Sequence, residues 1–235
     1  MKAIVAEHVT LDRLRNARLC QLIRNGVDLL YAASDGTILA IESNTARLSD
    51  PSTIEGALEL VGAVPATTTV ARGPVAVIDA FVARLPPTWS RTFEGHEMAY
   101  TDRPDLRAVA GEMRCSTELA TPFETWRDAF IAEAFPTGGT PPAVTREQLF
   151  IWIDGEPRAM AALLPLGPGD ARIVTVYTPP ASRGRGYATV LVAALAERAR
   201  CTVTLDVEVF NRSAFRAYER AGFRTVGRNA IWAKV

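Results

Sequence analysis

The sequence predicts an α/β (α+β) fold, in which short strands and helices alternate along the chain. The apolar run Ile173–Tyr177 is typical of a strand, and after a glycine-rich turn the stretch Thr189–Arg200 is typical of a helix. A second strand pattern, Val203–Phe210, leads directly into another helix. Asn211 is a good N-cap for that helix and Gly222 a good residue to end it, so both helix signals are present.

Length and composition limit the class of protein. The chain has 235 residues, 48% of them hydrophobic, which is enough for one large domain or two smaller ones. Lys plus Arg and Asp plus Glu both number 26, so the net charge of zero argues against a dedicated nucleic-acid binder. No apolar run is long enough to span a membrane, and the start of the chain does not resemble a signal peptide. We therefore expect a cytoplasmic protein without a membrane or nucleic-acid partner.

The cysteines and histidines do not form a metal-binding pattern. Cys20, Cys115 and Cys201 are far apart in the sequence, and neither His8 nor His96 has a partner at metal-ligand spacing. A metal site needs three or four convergent ligands, so no metal is predicted. We expect the three cysteines to be free, buried thiols.

The first hundred residues are predicted to form a smaller αβ domain, residues 1–103. Its expected elements are a helix over Leu11–Arg24, a hairpin of Asp28–Ala33 and Thr37–Glu42, a helix from Asp50 to Val61, a strand over Ala66–Val70, a helix over Val75–Leu85 and an edge strand over Arg91–Tyr100. The stretch Ala71–Pro74 between strand and helix is expected to be a turn.

The second predicted domain covers residues 104–235. Before the elements described above, it is expected to contain a strand over Leu106–Cys115, a helix over Thr121–Phe135 and a hairpin of Leu149–Ile153 and Arg158–Leu164 around Asp154-Gly155. The segment Pro136–Pro142 is the most flexible stretch by composition. It is expected either to help form a substrate site or to be a plain surface connection.

The turn before the helix at Thr189 has the composition of a phosphate-binding loop. Its sequence is Arg183-Gly184-Arg185-Gly186-Tyr187-Ala188. Glycines allow successive backbone N–H groups to point into one concavity, and the positive end of the helix dipole favours an anion there. The alternative is an ordinary tight turn with solvated arginines.

Two linked motifs resemble the GNAT superfamily of acyl-CoA-dependent N-acyltransferases. Members carry Arg or Gln, two residues, Gly, one residue, and Gly or Ala, and Arg183, Gly186 and Ala188 meet that pattern. They also commonly carry an Asn, a Tyr seven residues later and a Gly-Phe pair, which here are Asn211, Tyr218, Gly222 and Phe223. The resemblance implies a mixed, mostly antiparallel central sheet flanked by helices. The smaller αβ domain is either a degenerate copy of this fold, or its similarity is the one that the two halves of any αβ chain show by chance.

The resemblance also implies an acyl-CoA site. Backbone groups of Val176, Tyr177 and Thr178 would pair with the pantetheine arm. The pyrophosphate would be bound by the main-chain N–H groups of Gly184, Arg185, Gly186, Tyr187, Ala188 and Thr189. The side chains of Arg183 and Arg185 would add positive charge. Asn211 would bond the pantetheine, cap its helix, or do both.

For catalysis, the resemblance assigns Tyr218 as the general acid for the departing thiolate, although an aromatic residue packed on a helix face is the alternative. Asp206 matches a position where several members of the superfamily carry a glutamate that acts as the general base. Asp206 could instead form an ion pair with an arginine, which leaves deprotonation through water open.

The predicted function is transfer of an acetyl or other acyl group from acetyl-CoA to a primary amine of a small molecule or protein. One alternative is a non-catalytic acyl-CoA-binding regulatory protein. A nucleic-acid-binding role for the Arg-Gly segment is disfavoured by the net charge. The protein is expected to be a monomer or a homodimer.

Overall fold

The computed structural model describes residues 2–3, 13–50, 52–102, 104, 106, 108–119, 123–135, 141–167 and 169–235. The chain divides into two compact units. The first comprises Met1–Glu97, Val207–Phe210 and Thr225–Val235, and the second comprises Met98–Asp206 and Asn211–Arg224. A domain boundary near residue 103 stays a prediction. Residues 121–122, at the start of the helix predicted over Thr121–Phe135, and residues 136–140 of the predicted flexible segment lie outside the described residues.

Six α-helices and twelve strands are found in the described part of the chain. The helices are α1 (Arg13–Asn25), α2 (Ile54–Leu60), α3 (Val75–Val82), α4 (Phe123–Ala134), α5 (Tyr187–Ala199) and α6 (Arg212–Arg220). The strands are β1 (Lys2–Ala3), β2 (Leu29–Ala32), β3 (Ile38–Glu42), β4 (Thr45–Leu48), β5 (Val70–Pro74), β6 (Trp89–Tyr100), β7 (Glu112–Cys115), β8 (Leu149–Asp154), β9 (Glu156–Gly167), β10 (Asp170–Tyr177), β11 (Thr202–Glu208) and β12 (Phe223–Lys234).

The first unit is built on the strand order β1-β2-β3-β4-β5-β12-β6. The pairs from β1 to β4 are antiparallel, β4 and β5 are parallel, and β5 and β12 are antiparallel. Its core is apolar and fully buried, with Leu39 and Ile41 from the sheet and Leu60, Ile78 and Phe81 from the helices α2 and α3. Burial of this surface is the main force that holds the unit together.

Three predictions for the first unit are wrong. The strand predicted over Ala66–Val70 lies at Val70–Pro74, so Ala71–Pro74 is not a turn. A Cβ at Gly73 would lie 3.0 Å from the Cβ of Leu48, so a larger residue would press on that side chain. Strand β4 was not predicted, and β6 is not an edge strand, because it neighbours β12 and its Glu94 carbonyl also accepts a 3.1 Å hydrogen bond from Val209 N–H.

The second unit has the strand order β11-β10-β9-β8-β7, in which only β10 and β11 run parallel. The predicted hairpin is confirmed, with Asp154 paired to Glu156 at its turn. Helix α4 packs on the face that carries Leu149 and Ile151. The guanidinium of Arg198 on α5 lies over Phe150, whose side chain points to the opposite face. The predicted mixed, mostly antiparallel sheet flanked by helices is therefore confirmed.

Both units repeat one order of elements. In the first unit the order is α1, β2, β3, β4, α2, β5, α3, and in the second it is α4, β8, β9, β10, α5, β11, α6. In each, three antiparallel strands precede a helix, and the next strand runs parallel to the third. The counterpart of the glycine-rich turn is therefore the connection between β4 and α2, and not Ala71–Pro74.

None of the helices in the described ranges is long and apolar enough to span a membrane. Across those same residues, no group of three or more His, Cys, Asp or Glu side chains could hold a metal ion.

Candidate functional site

Two parallel strands of the second unit separate partway along their length. The pairing of β10 with β11 runs from Asp170 opposite Thr202 to Arg172 opposite Thr204. Beyond Arg172 no ladder pairing between the two strands continues within the described residues. We call this opening the fork. It leaves backbone groups on the β11 side of β10 able to pair with an extended ligand, as a further strand would. Val176, Tyr177 and Thr178 lie at this end of β10.

A β-bulge distorts β10 inside the fork. Val174 pairs with Ala162 and Tyr177 with Met160, so three steps on β10 match two on β9. Thr175 within the bulge has a left-handed φ of 54°, which is uncommon for a β-branched residue. Its side chain is buried, and its hydroxyl has no hydrogen-bond partner among the described residues. Bulges commonly redirect side chains next to functional sites.

An ion pair ties the strands together where the fork begins. The guanidinium of Arg172 on β10 contacts the carboxylate of Asp206 on β11, and both side chains are largely buried. Asp206 therefore forms an ion pair with an arginine, which was the predicted alternative to a role as general base. A guanidinium already bound to the carboxylate competes for the oxygen that would accept a proton. A role for Asp206 as a base stays a prediction.

The glycine-rich turn forms an open, positively polarised end of helix α5. Gly184 and Gly186 have φ values of 76° and 87°, a region that glycine adopts without steric cost. Residues 183–186 are exposed, and Gly186 is the N-cap of α5. The first intrahelical acceptor is the Gly186 carbonyl, which binds Val190 N–H at 3.1 Å. The preceding N–H groups, including those of Tyr187, Ala188 and Thr189, are consequently available for an anion.

Arg183 anchors the start of this turn. Its Nε donates to the Thr178 carbonyl at 2.9 Å, and its Nη2 lies 2.9 and 2.7 Å from the two carboxylate oxygens of Glu133 on α4. The guanidinium also lies over the Tyr177 ring. Arg183 and Glu133 are both about half exposed, so the ion pair contributes little stability. Contact of Arg183 or the exposed Arg185 with a phosphate stays a prediction.

Tyr187 fixes the first turn of α5 to the β8–β9 hairpin. Its ring is buried, its hydroxyl donates a 2.6 Å hydrogen bond to Asp154, and Arg158 lies over the ring. The hydrogen bond to Asp154 and burial raise the pKa of the Tyr187 phenol. Its phenolic proton is held by Asp154, so Tyr187 positions the turn.

Helix α6 carries the two remaining predicted residues. The Asn211 side chain accepts from Ala214 N–H at 3.0 Å, so it is the predicted N-cap. Its NH2 group donates to nothing in the described ranges. Tyr218 is only 6% exposed, and burial raises the pKa of its phenol well above the usual value of about 10. No described residue hydrogen-bonds its hydroxyl, so the phenol is protonated at neutral pH and its proton is not engaged.

The site lies at the carboxyl ends of two parallel strands. Strand β10 leads to α5 through the glycine-rich turn, and β11 leads to α6, while α5 and α6 pack against each other. In α/β sheets, ligands bind in the crevice outside the carboxyl ends of the strands. The fork, the turn and the two helix starts therefore belong to one region.

Four contributors to this region were not found from the sequence. Glu133 and Asp154 are far in sequence from Arg183 and Tyr187, and no short-range motif links them. The pairing of Arg172 with Asp206 depends on the register of two strands. The conformation of Thr175 has no composition signal, because threonine is an ordinary strand residue.

The fold is the one found in acyltransferases of the GNAT type. Residues 113–223 match the acetyltransferase (GNAT) family, so the chain carries a GNAT acetyltransferase domain over that range. No curated protein matches the chain.

Three solved structures share the fold. A GCN5-related N-acetyltransferase from Kribbella flavida is 16% identical with a TM-score of 0.59, covering 100% of this chain and 96% of its own. One from Sphaerobacter thermophilus is 18% identical with a TM-score of 0.55, covering 91% and 84%. A GNAT-family acetyltransferase from Colwellia psychrerythraea is 12% identical with a TM-score of 0.52, covering 99% and 98%. At these identities the likeness shows the fold alone.

Proposed function

We propose that the protein transfers an acetyl group from acetyl-CoA to a primary amine. The observation that carries the proposal is the combination of the fork with a buried, protonated Tyr218 whose hydroxyl has no partner among the described residues. The fork offers unpaired backbone to an extended pantetheine arm. The N-terminus of α5, with Gly184 and Gly186, offers N–H groups to the pyrophosphate.

In the proposed reaction the neutral amine nitrogen attacks the thioester carbonyl carbon, and the carbon–sulfur bond breaks. The departing thiolate takes the phenolic proton of Tyr218, the amine loses one proton to solvent, and solvent returns a proton to the Tyr218 phenolate. The phenol is protonated at neutral pH, so it has a proton to donate as the carbon–sulfur bond breaks. The Arg172–Asp206 ion pair supports deprotonation through water, since it engages the predicted carboxylate base.

We further propose that the chain has one acyl-CoA site and that the first unit is a degenerate copy. The start of α2 corresponds to the glycine-rich turn, but a side chain of the protein itself, that of Asp35, lies there. The Asp35 carboxylate accepts hydrogen bonds from Thr53 and Thr37, and a Cβ on Gly56 would lie 2.3 Å from Asp35 Oδ1. These hydrogen bonds, that from Thr53 above all, lower the pKa of Asp35 and keep it anionic. A ligand phosphate would face this carboxylate.

Calorimetric titration with acetyl-CoA and assays of thiol release across a panel of amines test the proposal. We expect binding at one site per chain and thiol release only when an amine is present. Binding without thiol release from any amine would instead support a regulatory acyl-CoA-binding protein. No binding would exclude both functions.

A further inference from the structure

Three arginines follow one another along the exposed face of α6. Arg212, Arg216 and Arg220 are spaced four residues apart, and all three are exposed. They lie on the side of the helix opposite to Tyr218 and Ala221, which are buried. None of the three forms an ion pair or a side-chain hydrogen bond with another described residue. We call this set of three the arginine stripe.

The arginine stripe is unfavourable for the helix that carries it. Like charges four residues apart repel each other, and this spacing occurs twice along α6. Arg212 is the first residue of α6, where the helix dipole is positive, and the first turn contains no acidic side chain. Glu219, the single acidic residue of α6, lies in its last turn and forms no ion pair with the stripe. A bound anion near Arg212 would offset these costs.

The start of α6 borders the fork in the second unit. Strand β10 leads to α5 and β11 leads to α6, so the first turns of the two helices lie at the same edge of the sheet. The two helices pack against each other, and packed helix axes are about 8–10 Å apart. With pantetheine in the fork and the pyrophosphate at the start of α5, the adenosine of acetyl-CoA leaves the fork beside both first turns.

We infer that Arg212 and Arg216 bind the 3′-phosphate of acetyl-CoA. The inference rests on the proposed function and adds a determinant of donor specificity. The 3′-phosphate is attached to the ribose whose 5′ carbon carries the pyrophosphate, so a single sugar ring separates the two anionic groups. A phosphate monoester carries close to two negative charges at neutral pH, and a guanidinium presents two parallel N–H donors to its oxygens.

The position along the helix distinguishes the members of the arginine stripe. Arg216 lies about one turn after Arg212, so both guanidinium groups are within reach of a single phosphate at the start of α6. Arg220 lies about two turns after Arg212, in the last turn of the helix, where the dipole favours a cation without any ligand. The inference therefore assigns the 3′-phosphate to the first two arginines and not to the third.

The first test compares two donors that differ only in this phosphate. We expect calorimetry to give a dissociation constant about tenfold lower for acetyl-CoA than for acetyl-dephospho-CoA, which lacks the 3′-phosphate. The preference should shrink as the salt concentration rises, because the arginines are exposed. Equal dissociation constants for the two donors would overturn the inference.

The second test removes the two charges. Glutamine keeps a high helix propensity, so the double variant Arg212→Gln/Arg216→Gln should fold without a lower Tm. We expect it to raise the dissociation constant of acetyl-CoA about tenfold and to leave that of acetyl-dephospho-CoA within about twofold. Arg220→Gln is the matched control, because it removes the same charge from the same stripe and should weaken neither ligand. An equal loss of affinity for both donors would overturn the assignment to the 3′-phosphate.

Thiol release with an amine panel, measured on the same samples, separates this inference from the function. Donor discrimination that depends on Arg212 and Arg216 without any thiol release would support the 3′-phosphate site and refute acyl transfer. Thiol release from both donors with equal affinity would overturn the site and leave acyl transfer standing. Absence of binding by either donor would overturn both.

Discussion

Replacing Tyr218 by phenylalanine removes one oxygen atom from a ring that is 6% exposed. The phenol makes no hydrogen bond to the described residues, so the free energy of unfolding should change by less than about 1 kcal/mol. Loss of a general acid typically costs about 10²- to 10⁴-fold in rate. We therefore expect kcat to fall at least about 100-fold, while the dissociation constant of acetyl-CoA stays within about twofold.

The pH dependence gives this prediction a second readout. Burial raises the pKa of Tyr218, so the phenol stays protonated and the wild-type rate should show no descending limb below about pH 10. The same shift stabilises the fold below the unfolded pKa of about 10, and that contribution is lost as pH rises through the higher folded pKa. Tyr218→Phe should remove this loss.

Thiol release with saturating amine between pH 6 and 10, and urea unfolding of the same samples, provide both measurements. Tyr187→Phe is the comparison variant. It loses a 2.6 Å hydrogen bond to Asp154 and should lower stability or weaken acetyl-CoA binding more than it lowers kcat. A Tyr218→Phe enzyme with kcat within threefold of wild type would refute the assignment of Tyr218 as the acid.

The remaining predictions concern the turn, the ion pair and the first unit. Gly184→Ala and Gly36→Ala both place a side chain at positive φ in open space, so each should cost about 1 kcal/mol of stability. Only Gly184→Ala should weaken the binding of acetyl-CoA, which calorimetry measures. Asp206→Asn should lower the free energy of unfolding by about 1–3 kcal/mol, because Arg172 loses its charged partner. The same variant should leave the pH profile of kcat/KM unchanged. Loss of the ascending limb of that profile would identify Asp206 as the general base. Wild type should bind one acetyl-CoA per chain, and a second site that Asp35→Asn leaves unaltered would contradict the account of the first unit.

Local signals predicted the parts of the site that depend on neighbours in the sequence. The left-handed glycines at 184 and 186 and the Asn211 cap follow from backbone sterics and from a side chain that reaches three residues ahead. These interactions involve only residues a few positions apart in the sequence, so composition and spacing are sufficient to predict them.

Features that depend on packing between distant segments could not be predicted. Gly73 and Pro74 look like a turn, yet they lie in a strand because they pair with Ala230 and Asn229 of β12. The Arg172–Asp206 pair requires the register of two parallel strands, and the bulge that strains Thr175 is set by its pairing with β9. A single sequence contains no local pattern for any of these contacts.

The most direct test of the central claim is to quantify both products of one reaction. The protein is incubated with acetyl-CoA and 2-phenylethylamine, with putrescine in a parallel sample, and free CoA thiol and N-acetylated amine are measured together. We predict equal amounts of the two products, with none of either when amine is omitted. Acetyl-CoA that binds but yields neither product from any amine would contradict acyl transfer at this site.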